Sequence, residues 1–416
     1  MLKHVLKILF ALPLLVVIAF LALVNVNLHH KPNIRIVEGD TIDCDLVHEL
    51  RGLKASINNG GDEDMQHLYP EGFVFLNAIY GLAWCNFIKQ LDPVSEYFQE
   101  GKSEIDRSWR KIDSDQGRSP FDEDLPLAYG SFYTGWSNYL LGRKLGLESE
   151  NQRDLHQVLY FTEQCIRIDS ALAKGTYPPT YSGTAWPADV LMCVASLAVH
   201  DKLFTPKYST TIQEWLQQVK LRLDPQGLVP HSARPSDGKL SEIARGSSQS
   251  LMLIFLYEID KDFAREQFAI YRKHFVDTTM GLTGVREYPK KVFGLGDVDS
   301  GPLLLGYGAA ATIVGMQTLS LYEDVAISMR IKHLVESFGL SYDDGDQKQY
   351  LFGLLPIADA FIAWGHSAMN VDDAIDPSFT SFHFWSVLIA FVLSIFFWLL
   401  VKPKKPSSKD SLIVPW

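Results

Sequence analysis

Two kinds of helical segment alternate between residues 72 and 365, and this alternation restricts the fold more than any other feature of the sequence. Segments of the first kind are apolar on every side and rich in glycine and alanine, whereas segments of the second kind carry charged residues. A helix that is apolar all round must be buried, while an amphipathic helix can face water. Alternation typical of strands is nearly absent. The sequence therefore predicts an all-α fold in which outer helices cover inner ones.

The pattern resembles the (α/α)6 toroids of six helical hairpins, the architecture of many glycosidases, polysaccharide lyases, sugar epimerases and terpenoid-acting dehydratase-isomerases. The resemblance covers about residues 65–368 and rests on the pattern of helices. A plain antiparallel bundle or an α-solenoid is the structural alternative. The expected inner helices are 72–90, 129–143, 185–199, 243–258, 301–319 and 350–365, and the expected outer helices are 93–113, 151–173, 207–222, 261–276 and 322–338.

Both ends of the chain carry an apolar run of about the length that a bilayer requires, at residues 8–26 and 384–401. Lysines precede the first run and follow the second, which predicts that both termini are cytoplasmic. We therefore expect a bacterial inner-membrane protein with a periplasmic main domain. The expected divisions are an N-terminal transmembrane anchor at 1–30, a polar linker at 31–64, the toroid at 65–368, a linker at 369–383, a C-terminal transmembrane helix at 384–401 and a cytoplasmic basic tail at 402–416.

The chain has a formal net charge of -11 at pH 7 and four cysteines. Because the chain is acidic, we expect no nucleic-acid partner. Cys85, Cys165 and Cys193 lie in helical patterns and are expected as small core residues, while Cys44 is a candidate for a disulfide with one of them. Nucleotide-binding and zinc-protease motifs are absent from the sequence, so we expect no cofactor and no metal. The acidic run 343–346 is expected to form a solvated turn.

A glycine-rich loop brings two carboxylates, Asp297 and Asp299, to the start of the inner segment 301–319. We expect Asp299 or Ser300 to cap this helix and Pro302 to occupy its first turn. One of the two aspartates would then remain for chemistry or for pairing with an arginine.

In a toroid, the loops that lead from outer to inner helices meet on one face, around a cavity floored by helix N-termini. Aromatic rings beside carboxylates are typical of sugar-binding sites, and two carboxylates are sufficient for glycoside hydrolysis. Asp189 is explained equally well as a catalytic acid and as a helix cap. His231 is either a general base or a structural hydrogen-bonding group. Arg245 is the partner either of a uronate or of Asp299. The predicted catalytic residues are Asp189, Asp299, Asp297, Glu287 and His231, and the predicted substrate-binding residues are Trp186, Tyr181, Arg245, Arg286 and Tyr288.

Three functions are consistent with this sequence. The first is a membrane-tethered periplasmic enzyme that acts on a carbohydrate by hydrolysis, elimination or epimerisation. The second is a dehydratase or isomerase of the linalool-acting type, which the resemblance implies would use cysteine with acid and base residues on an apolar substrate. The third is a non-catalytic scaffold or binding protein in an envelope or polysaccharide-export assembly, with envelope proteins as its partners.

Overall fold

Helices dominate the computed structural model, which describes residues 2–298, 300–369 and 377–402, with side chains from Phe10 onward. Two helices lie outside the predicted set, α2 and α3, and a short one follows the first outer helix. The helices are α1 (Leu2–Asn27), α2 (Cys44–Asn58), α3 (Gly61–Leu68), α4 (Gly72–Ile88), α5 (Glu96–Ile112), α6 (Asp115–Arg118), α7 (Gly130–Leu145), α8 (Leu155–Leu172), α9 (Pro187–Leu203), α10 (Ser209–Lys220), α11 (Gly246–Ile259), α12 (Lys261–His274), α13 (Ala309–Leu321), α14 (Val325–Phe338), α15 (Pro356–Ser367) and α16 (Thr380–Val401).

The strands in the described residues are short and form antiparallel hairpins in the loops. The all-α class predicted from the sequence is therefore confirmed as a mostly helical fold. The five pairs are β1 (Ile34–Val37) with β2 (Asp40–Asp43), β3 (Ser232–Ala233) with β4 (Leu240–Glu242), β5 (Val276–Thr279) with β6 (Leu282–Val285), β7 (Leu303–Leu304) with β8 (Tyr307–Gly308), and β9 (Tyr342–Asp343) with β10 (Lys348–Gln349).

The six apolar helices α4, α7, α9, α11, α13 and α15 pack against one another in chain order, and α15 also packs against α4. The more polar helices lie against them: α5 on α4, α8 on α7 and α9, α10 on α9, α12 on α11, α14 on α13, and α2 on α15. This pairing follows from polarity, because a helix such as α4 is apolar on all sides and needs neighbours all round it.

Aromatic side chains from four of the apolar helices meet where these helices converge. The ring of Trp136 in α7 lies 4.8 Å from that of Phe75 in α4 and 6.1 Å from that of Phe255 in α11. Trp364 in α15 lies 6.4 Å from Trp136, centroid to centroid. Edge-to-face and tilted ring pairs of this kind add to the stability gained from burial. The centre of the helical domain is thus filled by an aromatic core.

The inner helix predicted for 301–319 begins eight residues late, at Ala309, and this part of the prediction is wrong. The preceding residues form the β7–β8 hairpin, whose turn holds Leu305 and Gly306 in the left-handed region, with φ values of 55° and 88°. A side chain at Gly306 would place its Cβ against a guanidinium nitrogen of Arg286. Pro302 therefore lies outside the helix, and the N-cap position belongs to Gly308.

The stretch 31–64, expected as a polar linker, is folded. It forms the β1–β2 hairpin, the helix α2 and the first half of α3. The side chain of Asp43 caps α2 by accepting hydrogen bonds from the backbone N–H groups of Asp45 and Leu46. Helix α2 buries Leu46, Leu50 and other apolar residues on one face, which packs against α15. Its polar composition conceals an amphipathic helix that belongs to the core.

Helices α1 and α16 are the two described helices that are long and apolar enough to cross a membrane, over Phe10–Asn27 and Thr380–Val401. They pack against each other, and the amide oxygen of Asn25 accepts hydrogen bonds from the imidazole of His383 and the hydroxyl of Ser386. The predicted basic tail beyond Lys402 and residues 370–376 of the predicted linker at 369–383 lie outside the described residues.

Candidate functional site

Arg245 is the centre of the candidate site. It follows strand β4 and immediately precedes α11, and its side chain is only 3% exposed. Its guanidinium contacts two carboxylates directly: Nε donates to Glu287 at 2.7 Å, and the two terminal nitrogens donate to Asp297 at 2.6 and 2.8 Å. A buried guanidinium requires such partners, because an unpaired charge is costly to bury. The prediction that one loop aspartate pairs with an arginine holds for Asp297.

Asp297 is held from two sides and remains accessible. In addition to the bidentate contact with Arg245, its Oδ1 accepts a hydrogen bond from the backbone N–H of Ser300 at 3.0 Å. The hydrogen bonds from Arg245 lower the pKa of Asp297 to about 2. This carboxylate is therefore ionised at neutral pH. Its side chain is 47% exposed, so a ligand can reach it.

Glu287 is fully buried and positions the other groups. Its carboxylate accepts hydrogen bonds from the hydroxyl of Ser247 at 2.8 Å and from the backbone N–H of Ser247 at 3.2 Å, in the first turn of α11. Burial raises the pKa of Glu287, while the facing Arg245 opposes this shift. Because Glu287 has no exposed surface, it supports Arg245 from behind.

His231 is neutral at physiological pH, because burial and the nearby Arg245 lower its pKa to about 4. Its Nδ1 lies 3.1 Å from the hydroxyl of Ser248, which donates its own proton to the backbone oxygen of Arg245 at 3.1 Å. We therefore assign the imidazole proton to Nδ1. The unprotonated Nε2 then faces the guanidinium of Arg245 at 3.5 Å, which fits an acceptor facing a donor.

A second accessible carboxylate, Glu242, completes the group. It ends strand β4, is 43% exposed, and lies 3.7 Å from Nη1 of Arg245 and 3.8 Å from Nε2 of His231. Nη1 is also the nitrogen that donates to Asp297. The two accessible carboxylates therefore share one guanidinium nitrogen. Nearby, the ring of Tyr288 lies 5.6 Å from the Arg245 guanidinium, and its hydroxyl donates to the backbone oxygen of Leu295.

Asp189, Trp186 and Tyr181 form a neighbouring group at the start of α9. The hydroxyl of Thr180 donates to Asp189 at 2.8 Å, and the ring of Tyr181 lies 5.8 Å from that of Trp186. Asp189 is buried in the first turn of its helix, where a carboxylate is favourable. The group adjoins the Arg245 site through the bridge between Ala185 and Ala233, two residues from His231.

Two further predicted residues stand apart. Arg286 precedes Glu287 in an extended segment, so its side chain projects to the opposite side. There it donates to the backbone oxygen of Leu305, packs over the ring of Tyr307 and lies 3.7 Å from Asp277. Arg286 therefore lies apart from the group around Arg245, and its role in substrate binding stays a prediction. Asp299 lies outside the described residues.

A second cluster of buried charges joins the start of the helical domain to its end, and sequence analysis missed it. The ammonium of Lys348 lies 2.6 Å from Glu336 and 3.3 Å from Glu49, and the hydroxyl of Tyr350 lies within 2.8 Å of both carboxylates. His366, in the last turn of α15, lies 3.0 Å from Glu49. Glu49 was detectable as a lone charge on the apolar face of α2, three residues after Leu46.

The same cluster has the composition of a metal site, since the ligating atoms of Glu49, Glu336 and His366 all lie within 4.8 Å of one another. The ammonium of Lys348, however, already supplies a positive charge to both carboxylates. Burial alone would raise the pKa of Glu49, but His366 and Lys348 outweigh burial and lower it. The cluster is therefore best explained as a structural ion network.

Asp359 lies beside this network in the first turn of α15, where it accepts a hydrogen bond from the backbone N–H of Tyr350 at 3.2 Å. Burial raises its pKa to about 8, so it is mostly protonated at neutral pH.

All four cysteines are buried free thiols. Burial raises the pKa of Cys85 and of Cys165 to about 12, and it raises the pKa of Cys193 strongly. A thiol needs a lowered pKa to act as a nucleophile, and these environments have the opposite effect. The disulfide considered for Cys44 is not formed.

No protein-family model matches the chain, and no curated protein matches it significantly. The function therefore has to be inferred from the chemistry of the site.

Proposed function

We propose that the chain is a membrane-tethered (α/α)6 toroid whose candidate site acts on a carbohydrate. The toroid is supported by the order of packing, in which six apolar helices contact their neighbours in sequence and the last, α15, returns to the first, α4. Helix α2 supplies the sixth outer helix that the sequence analysis lacked. In such an arrangement the Arg245 site lies on the face where the inner helices begin.

The proposed topology places both termini in the cytoplasm and the helical domain in the periplasm of a bacterial inner membrane. It is supported by the apolar helices α1 and α16 at the two ends and by the lysines outside them. Reporter fusions after residue 30 and near residue 200 should score as exported, and fusions at the C-terminus should score as cytoplasmic. A cytoplasmic signal near residue 200 would contradict this topology.

One observation carries the enzymatic proposal: two accessible carboxylates, Asp297 and Glu242, share one nitrogen of a buried arginine beside an aromatic ring. Since one oxygen of each carboxylate lies 2.6 or 3.7 Å from that nitrogen, those two oxygens can be no more than about 6.3 Å apart. Carboxyl groups about 5–5.5 Å apart are typical of glycosidases that retain anomeric configuration, whereas inverting enzymes hold them about 6.5–9.5 Å apart. The geometry favours a retaining hydrolysis.

The roles of the two carboxylates follow from their surroundings. Asp297 is kept ionised by Arg245, which suits the residue that attacks or stabilises the anomeric carbon. This leaves Glu242 to deliver the proton to the departing oxygen. Three carboxylates surround the single Arg245 guanidinium, so the site is negative overall and favours a neutral sugar over a uronate. The half-buried ring of Tyr288, beside Arg245, is the candidate aromatic contact for a sugar.

The test compares Asp297→Asn and Glu242→Gln with Asp262→Asn, a matched removal of an exposed carboxylate on α12. The purified full chain is incubated with a panel of neutral oligosaccharides, and new reducing ends are measured. We expect each site variant to lose at least about 100-fold in turnover while keeping its thermal midpoint within a few degrees, and the control to match the wild type. Full turnover by both site variants would remove this pair from catalysis.

Binding without any turnover by the wild-type chain would instead favour the scaffold or binding-protein function. The described cysteine environments offer no support for a dehydratase or isomerase of the linalool-acting type, since they suppress the thiolate form.

A further inference from the structure

Exposed apolar side chains are concentrated in the loops that precede α13 and α15. The segment 291–298 is almost entirely exposed, and Phe293 in it is 89% exposed. A monomeric protein rarely leaves so many large apolar groups in water without a partner. We name this group the apolar rim; it consists of Val292, Phe293, Leu295, Val298, Leu304, Leu305, Phe352 and Leu354.

The apolar rim lies at the end of the domain to which the apolar terminal helices attach. Helix α14 runs alongside α1: His333 contacts the backbone oxygen of Leu28 at 3.0 Å, and further along α14 the ring of Phe338 lies 5.8 Å from that of Phe20. Phe20 is inside the apolar span Phe10–Asn27. The C-terminal end of α14 therefore points along α1 toward the middle of that span.

The loops of the apolar rim begin at this same end. Helices α13 and α14 form an antiparallel hairpin, so α13 starts where α14 ends, and the loop after α14 leads through Phe352 into α15. The turn of the β5–β6 hairpin provides a second marker, since Gly281 packs against the backbone of Phe382 at the start of α16. Both terminal helices thus leave the domain beside the apolar rim.

The residues of the apolar rim are of the kinds found in protein segments that lie in the headgroup layer of a bilayer. Lys290 and Lys291 directly precede Val292 and Phe293, so basic groups stand beside apolar and aromatic ones. Protein segments that lie in the headgroup layer combine apolar residues such as Phe and Leu with Lys or Arg. Apolar side chains flanked by basic groups bind this layer with their apolar face in the acyl boundary.

We propose that the apolar rim inserts into the interfacial layer of the bilayer that α1 and α16 span, with phospholipid as its partner. Asp297 lies between Leu295 and Val298 in the inserted loop. The accessible carboxylates of the candidate site therefore open at the level of the lipid headgroups. The insertion rests on the proposed membrane-spanning role of α1 and α16 and not on the chemistry of the site, so it stands whether or not the site hydrolyses sugars.

The test uses the full chain in nanodiscs with an environment-sensitive fluorophore on one introduced cysteine. Phe293→Cys and Phe352→Cys report on the apolar rim, and Val94→Cys is the matched control. Val94 is an apolar residue, 84% exposed, in the turn between α4 and α5. This turn lies at the end of the apolar helices that is opposite to the apolar rim. The wild-type chain, whose cysteines are all buried, gives the labelling blank. Fluorescence is compared between phosphatidylcholine with and without brominated acyl chains.

We expect brominated lipid to quench the label at residues 293 and 352 and to leave the label at residue 94 unchanged. Equal fluorescence in the two lipids at residues 293 and 352 would overturn the proposal. A label at residue 293 that is shielded from water but not quenched would assign the apolar rim to a protein partner and would overturn it as well.

Discussion

Replacing Lys348 with methionine tests whether the buried ion network holds the two ends of the helical domain together. Lys348 and Glu49 are each 2% exposed and Glu336 is 4% exposed, so solvent screens their attraction little. The change keeps the bulk of the side chain but leaves two buried carboxylates without their ammonium. Removing one partner of a buried ion pair costs about 3–5 kcal/mol, and proton uptake by one carboxylate limits the loss here to about 3 kcal/mol.

The loss should appear as a thermal midpoint roughly 4 °C lower, because the entropy of unfolding grows with chain length, and it is measured by circular dichroism of the full chain in detergent. Arg167→Met is the control, because Arg167 and its partner Glu163 are both at least half exposed, and such surface pairs contribute less than about 1 kcal/mol. Adding Glu336→Gln to Lys348→Met should recover part of the loss by removing one unpaired charge. If Lys348→Met is no more destabilising than the control, the network does not stabilise the fold as argued.

Two further predictions concern pH. Because the folded-state pKa of Asp359 is raised to about 8, its stabilising effect is complete at low pH and is lost as the pH rises through 8. The variant Asp359→Asn should therefore raise the thermal midpoint more at pH 9 than at pH 5, and an equal change at both pH values would contradict the assignment. The pKa of His231 is lowered to about 4 in the folded state, so its protonation favours unfolding as the pH falls below about 6.5. The variant His231→Gln should therefore lose less unfolding free energy between pH 7 and pH 4.5 than the wild type, by up to about 3 kcal/mol in urea titrations.

Sequence analysis located best those helices whose composition is compatible only with burial on every side. Helix α4 is apolar on every side, so it had to be buried wherever its neighbours lay. The start of α13 could not be located in this way. Its upstream residues resemble the first turn of a helix, and they turn into a hairpin because Leu305 and Gly306 adopt left-handed conformations. Such a choice depends on Arg286, which is distant in sequence and fills the space beside Gly306.

The candidate site was predictable in part for a related reason. A buried arginine needs carboxylates, so the pairing of Arg245 with acidic residues followed from its position before an apolar helix. Which acids would be accessible did not follow, because exposure is set by packing. Glu287 is enclosed by the first turn of α11, while Glu242 at the end of a short strand remains open.

The contact between Glu49 and His366 has a consequence for the order of folding. These residues are 317 positions apart in the chain, and Glu49 also meets Tyr350 across 301 positions. Contacts over such distances form slowly, because a long loop must close before they are gained. The surfaces of α2 and α4 that pack on α15 emerge early in synthesis and stay uncovered until α15 is made. A nascent chain of this kind is exposed to aggregation for nearly its whole synthesis, so its folding should depend strongly on chaperones that hold it open.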